Sequence, residues 1–427
     1  MAQSPDFTSR RARLSLALLL TINLFNYVDR YVLAAVVPKI RETFFPHSGP
    51  NGDLGLTGTL ATAFILSYML AAPILGWLAD RMSRWILVGI SVIVWSLLTG
   101  ASGLAATFGM LLLTRLCVGI GEAGYGPSAP TIIADLYSIE RRGQVLAWFY
   151  MAIPVGSALG FVVGGLIGGN FGWRAAFFAV TPPGLLLGLL CFFQKDPPRG
   201  QSDHAAIVEP QAKWRDYLSL LKTPSYVLDT LGMAAMTFAV GGISFWLPTY
   251  FHQVRHAGSL ANVNLIFGAI TVVAGIGGTL IGGIVGDKLR PRFSGAYFLV
   301  SGISIFLCCP LILMMVYLPF PWAWVACFAA EFCLFFNTGP SNTILANVTH
   351  PSVRASAFAL NILLIHSLGD APSPPLLGHI ADIWGWNAAF GLVTATTGLA
   401  GIFWLLGTRH LASDTASAIA PPRPRAI

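Results

Sequence analysis

Apolar runs long enough to cross a bilayer as helices, about 17–25 residues each, recur along almost the whole chain. Twelve such runs stand at residues 12–37, 55–79, 85–106, 108–136, 143–168, 174–194, 225–252, 262–286, 293–318, 321–348, 354–380 and 386–408. Charged residues make up only 10% of the chain and the mean hydropathy is +0.70, against roughly 25% charge in a soluble domain. The chain therefore reads as an all-α membrane protein with twelve transmembrane helices.

A net charge of +7 would suit nucleic acid if the cations were clustered on one face, but their placement points elsewhere. With the N-terminus inside, 19 of the 25 Lys and Arg fall in cytoplasmic segments, 4 in external loops and 2 within helices. That asymmetry places both termini in the cytoplasm. Arg10, Arg11 and Arg13 flank the first run, which is too long for a signal peptide and lacks a small-residue cleavage site. It reads as a retained helix of a multi-pass protein of the cell membrane. Cys117, Cys191, Cys308, Cys309, Cys327 and Cys333 lie in apolar runs without metal-ligand spacing, as small hydrophobes do.

The polar stretch after the sixth run divides the chain into an N-terminal six-helix bundle (1–194), a cytoplasmic linker (195–224) and a C-terminal six-helix bundle with its tail (225–427). Trp214, Tyr217, Leu218 and Leu221 follow helical spacing beside Lys213, Arg215 and Lys222. They fit a short surface helix, with or without lipid contact. The halves repeat. Trp173-Arg-Ala-Ala-Phe177 returns as Trp386-Asn-Ala-Ala-Phe390, and Arg141 returns as Arg354, both at a spacing of 213 residues. Gly76-Trp-Leu-Ala-Asp80-Arg81 has its counterpart in Gly283-Ile-Val-Gly-Asp287-Lys288. Two pseudo-symmetric bundles from an internal duplication are how secondary transporters build alternating access.

Four charges interrupt the apolar runs: Asp29 and Arg30 in the first, Arg115 and Glu122 in the fourth. Each costs about 2.5–3.5 kcal/mol at the centre of a membrane helix, so they must face one another or a wet cavity. Counting residues from the helix ends puts Asp29 about 12 Å deep, Arg115 about 8–9 Å and Glu122 about 18–20 Å. The seven-residue spacing keeps Arg115 and Glu122 on nearly one face, about 20° from registry. A long guanidinium at Arg115 could then reach either carboxylate if the first and fourth helices are neighbours. The literal Gly119-x-Gly121-x-x-Gly124 pattern lies inside this membrane helix, with no strand before it, and is rejected as a nucleotide site. No Walker lysine motif, nucleophile triad or metal cluster occurs in the sequence, so no cofactor is expected and neither a pump nor a headgroup-cleaving enzyme fits.

Gly76-Trp-Leu-Ala-Asp80-Arg81-Met-Ser-Arg84 resembles the inter-helix signature of the major facilitator superfamily, with Ser83 and Trp85 as departures. Arg115-Leu-Cys-Val-Gly119-Ile-Gly121-Glu122-Ala123 resembles its fourth-helix motif, and Gly156, Gly160, Gly164, Gly165, Gly168 and Gly169 its fifth-helix ladder. Shorter stretches resemble the Spinster family, whose members move lysophospholipids and sphingolipid-type lipids. These are Asn26-Tyr-Val-Asp29-Arg30, Asp196-Pro-Pro-Arg-Gly200, Phe245-Trp-Leu-Pro248 and His366-Ser-Leu-Gly369-Asp370-Ala-Pro-Ser373-Pro374. Anion-carrying relatives share the Asn-Tyr-x-Asp-Arg start.

The resemblance implies a major facilitator fold and a proton-coupled carrier of amphipathic lipids; a carrier of small organic anions is the rival. Arg115 is expected to anchor the headgroup, Glu122 to respond to protons and Asp29 to be its partner, beside Arg30. The alternative is a permanent ion pair that only orients helices. His366 and Asp370, four residues apart, share a face and read either as a protonation pair or as packing. Pro372, Pro374 and Pro375 must break or kink that helix. Asn26, Phe245, Trp246, Glu331 and Asn337 are candidates for the cavity wall, with interhelical hydrogen bonding the simpler role for Asn337. Gly76, Asp80, Arg81, Arg84, Asp287 and Lys288 are expected to form a cytoplasmic charge lock. The expected partners are a lipid-like substrate, protons and the bilayer; the chain is expected to work as a monomer.

Overall fold

The computed structural model describes residues 9–49, 52–199, 220–350 and 353–419, and among them every regular element is a helix. The helices are α1 (Ser9–Phe44), α2 (Leu54–Ala79), α3 (Arg84–Gly103), α4 (Phe108–Glu122), α5 (Tyr125–Leu136), α6 (Ile139–Phe171) and α7 (Trp173–Cys191). There follow α8 (Pro224–Thr249) with a π-helical turn (Tyr250–Val254), α9 (Leu260–Leu289), α10 (Ala296–Tyr317), α11 (Trp322–Phe336) and α12 (Thr338–Asn347). The described residues end with α13 (Arg354–Ile365), a second π-helical turn (His366–Asp370), α14 (Ser373–Trp384), α15 (Trp386–Gly407) and α16 (Leu411–Ile419). The surface helix expected around Trp214, Tyr217 and Leu218 lies outside the described residues.

Nine of the described helices are long and apolar enough to cross a membrane unbroken. The runs 108–136, 321–348 and 354–380 are helical too, but each is interrupted: at Ala123-Gly124, at Asn337 and at the second π turn. The first two breaks share a local cause. Pro127 and Pro340 each occupy the third position of the second half-helix. Neither has the N–H that would bond four residues back, to Ala123 and Phe336. Gly126-Pro127-Ser128 recurs as Gly339-Pro340-Ser341, at the same 213-residue spacing as the tryptophans. Ser128 donates to the Gly124 carbonyl and Ser341 to the Asn337 carbonyl, both at 2.8 Å. The duplication thus extends to how its fourth and tenth helices are broken. At the third interruption Pro372 follows the turn, and the Ala371 N–H bonds five residues back to the His366 carbonyl at 3.1 Å.

The chain divides into two compact units, Met1–Ile207 with Ser244–Val272, and Val208–Ile243 with Val273–Ile427. In the first, α1 packs along α6 through the expected glycine ladder. A Cβ at Gly156 would meet the Leu24 carbonyl at 2.6 Å, one at Gly160 the Val28 carbonyl at 2.7 Å, and one at Gly164 the Ala35 methyl at 2.6 Å. Only glycine permits that approach, the arrangement small residues provide in membrane bundles. The core beside it gathers Leu19, Ile22, Trp85, Val92, Trp95, Val118, Ile132 and Phe149. In the second unit α9 closes on the broken α11–α12 segment, where a Cβ at Gly278 would meet the Phe332 carbonyl at 2.6 Å. Pro224 opens α8, and the Asp414 carboxylate on α16 accepts from the Ser225 N–H at 2.8 Å, capping that helix start.

Candidate functional site

The four membrane charges meet in the first unit. Glu122 is the last residue of α4, one turn beyond Gly119, where a Cβ would collide with the Phe64 carbonyl and the Ser67 hydroxyl. The missing side chain lets α4 lie tightly on α2, bringing Phe64 and Tyr68 beside α1. Gly121 presses on Trp95 and Gly124 on Ser91, so the three glycines of the rejected nucleotide pattern are packing positions.

Arg30 Nε donates to Glu122 Oε2 at 2.9 Å. The guanidinium of Arg30 also stands 5.2, 4.8 and 5.2 Å from the ring centres of Tyr27, Phe64 and Tyr68, within cation–π range of all three. Its side chain keeps 24% exposure while that of Glu122 has none. The sequence reading left Arg115 within reach of either carboxylate and did not name Arg30 as the hydrogen-bonded partner of Glu122. Arg115 is buried, with Asp29, Glu122 and Arg30 as its electrostatic neighbours, and its Nε and Nη1 have no hydrogen-bond partner. Asp29 is buried as well and accepts from the Thr99 hydroxyl at 2.7 Å; its Oδ1 has no partner. Asn26 is buried one turn before Arg30 and beside Glu122. Thr99 was missed, since a threonine in an apolar helix carries no signal of what it faces.

Two cations and two carboxylates balance in charge, yet several of their atoms lack partners. Taking each ion out of water costs several kcal/mol, which only good geometry and full hydrogen bonding offset. This cluster is compensated in charge but not in hydrogen bonds. The open N–H groups of Arg115 suit an incoming anion, since charge-assisted bonds to a guanidinium are the strong ones.

In the second unit the π turn brings His366 Nδ1 to 2.9 and 3.1 Å from the two carboxylate oxygens of Asp370, as their spacing led one to expect. Gly369 seats that turn on the Ala234 carbonyl and Thr237 of α8, and Gly241 of α8 lies against Asp370. Glu331 is buried on α11. Asn337 sits at the α11–α12 break and spends its amide on the Leu334 carbonyl at 2.8 Å, a bond within its own segment rather than between helices. Phe245 and Trp246 are buried, packed edge to face at 4.9 Å. A cavity of about 480 Å³ lies at the Phe44 end of α1, between Arg41, Glu42, His252 and His256.

The expected charge lock takes a different form. Arg84 is buried and pairs with Asp135 of α5 and, at 2.9 Å, with Asp196. Its backbone N–H bonds Asp196 at 2.7 Å, and its Nη2 bonds the Pro197 carbonyl at 2.8 Å. Arg199 donates to the carbonyls of Ala79, Asp80 and Met82. The Asp196-Pro-Pro-Arg199 segment is therefore a clip over the α2–α3 turn, a role its sequence did not disclose. Asp80 contributes its carbonyl, Arg81 lies on the Trp77 ring at 3.9 Å, and Asp287 accepts from the Tyr297 hydroxyl at 2.8 Å. Gly76 meets Pro127 in ordinary contact, and Lys288 forms no ion pair among the described residues.

Residues 19–374 match the sequence profile of the Major Facilitator Superfamily. Protein spinster homolog 3 of Danio rerio is 36% identical over 401 residues, which cover 89% of this chain and 79% of that protein. The sphingosine-1-phosphate transporter SPNS2 of Danio rerio is 36% identical over 384 residues, 84% of this chain and 74% of the relative. A bacterial homolog of the human lysosomal transporter Spinster, crystallised in an inward-facing and unoccupied conformation, shares the fold with a TM-score of 0.85. It is 24% identical, and the match covers 95% of this chain and 99% of that one. The chain is thus a membrane transporter of the major facilitator superfamily. Within that superfamily it belongs to the Spinster family.

Proposed function

We propose that this transporter moves an amphipathic lipid with an anionic or zwitterionic headgroup, by alternating access and coupled to proton binding. The observation that carries the reading is Arg115: a buried guanidinium with two nitrogens lacking partners, set between Asp29 and Glu122. An anionic headgroup fills those positions. As it draws Arg115 toward itself, the two carboxylates share less positive charge, and a carboxylate deprived of its cation in a low-dielectric site takes up a proton. Arg30, held against three aromatic faces, keeps Glu122 engaged until that point. His366 and Asp370, paired at 2.9 Å in the second unit, are the other residues this reading assigns to coupling.

The lipid assignment is supported by relatives such as the one named a sphingosine-1-phosphate transporter. The distribution of Lys and Arg favours a cell-membrane protein with both termini in the cytoplasm. The working unit in this reading is a monomer of two six-helix bundles. Binding of a lysolipid panel to purified protein, set against sugar phosphates and small carboxylates, tests the cargo. Saturable binding of lysolipids alone is expected; saturable binding of the small anions alone overturns the lipid reading. Uptake into proteoliposomes with and without an imposed pH gradient tests the coupling.

A further inference from the structure

One charged side chain of the second unit plays no part in the mechanism above. Asp229, on α8, is fully buried, and its Oδ1 accepts the indole N–H of Trp404 on α15 at 3.0 Å. Its Oδ2 has no hydrogen-bond partner. The neighbouring polar groups are committed elsewhere. The Tyr226 hydroxyl donates to the Ala357 carbonyl at 2.8 Å, and the Asn361 amide donates to Thr230 at 3.0 Å. One turn before Asp229, the Ser225 hydroxyl is likewise buried and without a partner.

Among the described residues, no cation pairs with this carboxyl. The charged and titratable groups on the elements packed against α8 are Arg354 on α13, His366 and Asp370 in the π turn, His379 and Asp382 on α14, Arg409 and His410 after α15, and Asp414 on α16. His366 and Asp370 hold each other, Asp414 holds the Ser225 N–H, and none of the others pairs with Asp229 among the described residues. An ionised Asp229 would leave a whole charge on one indole donor, far from what a buried carboxylate needs. The neutral acid fits: its carbonyl oxygen takes the indole N–H, and only an O–H group remains unsatisfied.

We propose that Asp229 is a proton-binding site of the second unit, occupied while Trp404 covers it and emptied when α8 and α15 part. The step moves one proton. The O–H bond at Oδ2 breaks, the proton passes to water admitted from the Pro224 end of α8, and the carboxylate is left hydrated. That end is near, since Asp229 lies five residues into the helix, about 8 Å. A release step here would make the second unit answer to protons independently of the Arg30–Glu122 cluster.

Two measurements on the full-length purified protein, neither of which needs cargo, decide this and stand apart from the lipid assignment. At neutral pH the infrared C=O stretch of a protonated carboxylic acid should be lost in Asp229→Asn. It should shift in Trp404→Phe, which keeps the acid and removes its donor. Hydrogen–deuterium exchange over residues 225–233, corrected for the intrinsic rate, should rise with pH in the parent protein and stay flat in Asp229→Asn. No lost acid band, or an exchange profile equally pH-dependent in Asp229→Asn, overturns the proposal. If Asp229→Asn does not fold, the Trp404→Phe band decides: a shift supports the site and an unmoved acid spectrum overturns it.

Discussion

Arg30 Nε lies 2.9 Å from Glu122 Oε2 across 92 residues of sequence, and it is Arg30 rather than Arg115 that holds this carboxylate. The pair is asymmetric in burial, and the consequences of breaking it should be asymmetric too. Arg30→Ala leaves a fully buried carboxylate without its hydrogen-bonded cation, at about 3 kcal/mol. Glu122→Gln leaves an arginine that still reaches solvent and three aromatic rings, at about 1 kcal/mol. Thermal unfolding of the two variants in detergent should rank them in that order, and the reverse order would show the pair to be held from the other side.

Arg115 should behave differently, because the proposed mechanism gives its open nitrogens to the cargo rather than to the structure. Arg115→Gln is expected to weaken binding of an anionic lysolipid at least about tenfold, the loss of one charge-assisted interaction. A neutral monoacylglycerol should bind the variant and the parent equally. Comparable losses for both lipids would assign Arg115 to general packing.

If headgroup binding and proton uptake are linked, the sign of the pH effect follows. The complex holds more protons than the free protein, so lysolipid binding should tighten as pH falls. In Glu122→Gln that dependence should flatten, read by titration calorimetry at several pH values. Full wild-type pH dependence in this variant would remove Glu122 from the coupling.

The clip over the α2–α3 turn makes a stability prediction away from the site. Asp196→Ala deprives the buried Arg84 of bonds to its backbone N–H and guanidinium, at about 2–3 kcal/mol. Arg84→Ala strands Asp135 as well and should cost about 3–5 kcal/mol. Their double variant should fall well short of the sum, since the two act in one network. Thermal melts of the single and double variants check all three.

Much of the fold was legible from local chemistry. Backbone groups in lipid must bond within their own segment, so long apolar runs can only be helices. The spacing of Trp173 and Trp386 exposed the duplication for a similarly local reason. Gly126-Pro127-Ser128 and Gly339-Pro340-Ser341 stood in the sequence at the same spacing, but a proline by itself did not mark a break, since α2, α6, α7 and α10 run unbroken past Pro73, Pro154, Pro182-Pro183 and Pro310. Asp229 and Asp135 were overlooked because each is a single carboxylate in or beside an apolar run, with no second charge at helical spacing to draw notice.

By itself, the sequence determined the class of protein, its repeated motifs and which four charges interrupt the apolar runs, because hydropathy acts residue by residue. The choice of partner among those charges belonged to the tertiary structure. Two arginines stood at comparable reach of two carboxylates, and side-chain spacing along one helix could not separate them. Gly119 settled it by letting α4 sink onto α2, which brought Phe64 and Tyr68 around Arg30 and left Arg115 buried with open nitrogens. That contact joins residues far apart in the chain, and it exists only once the helices have packed.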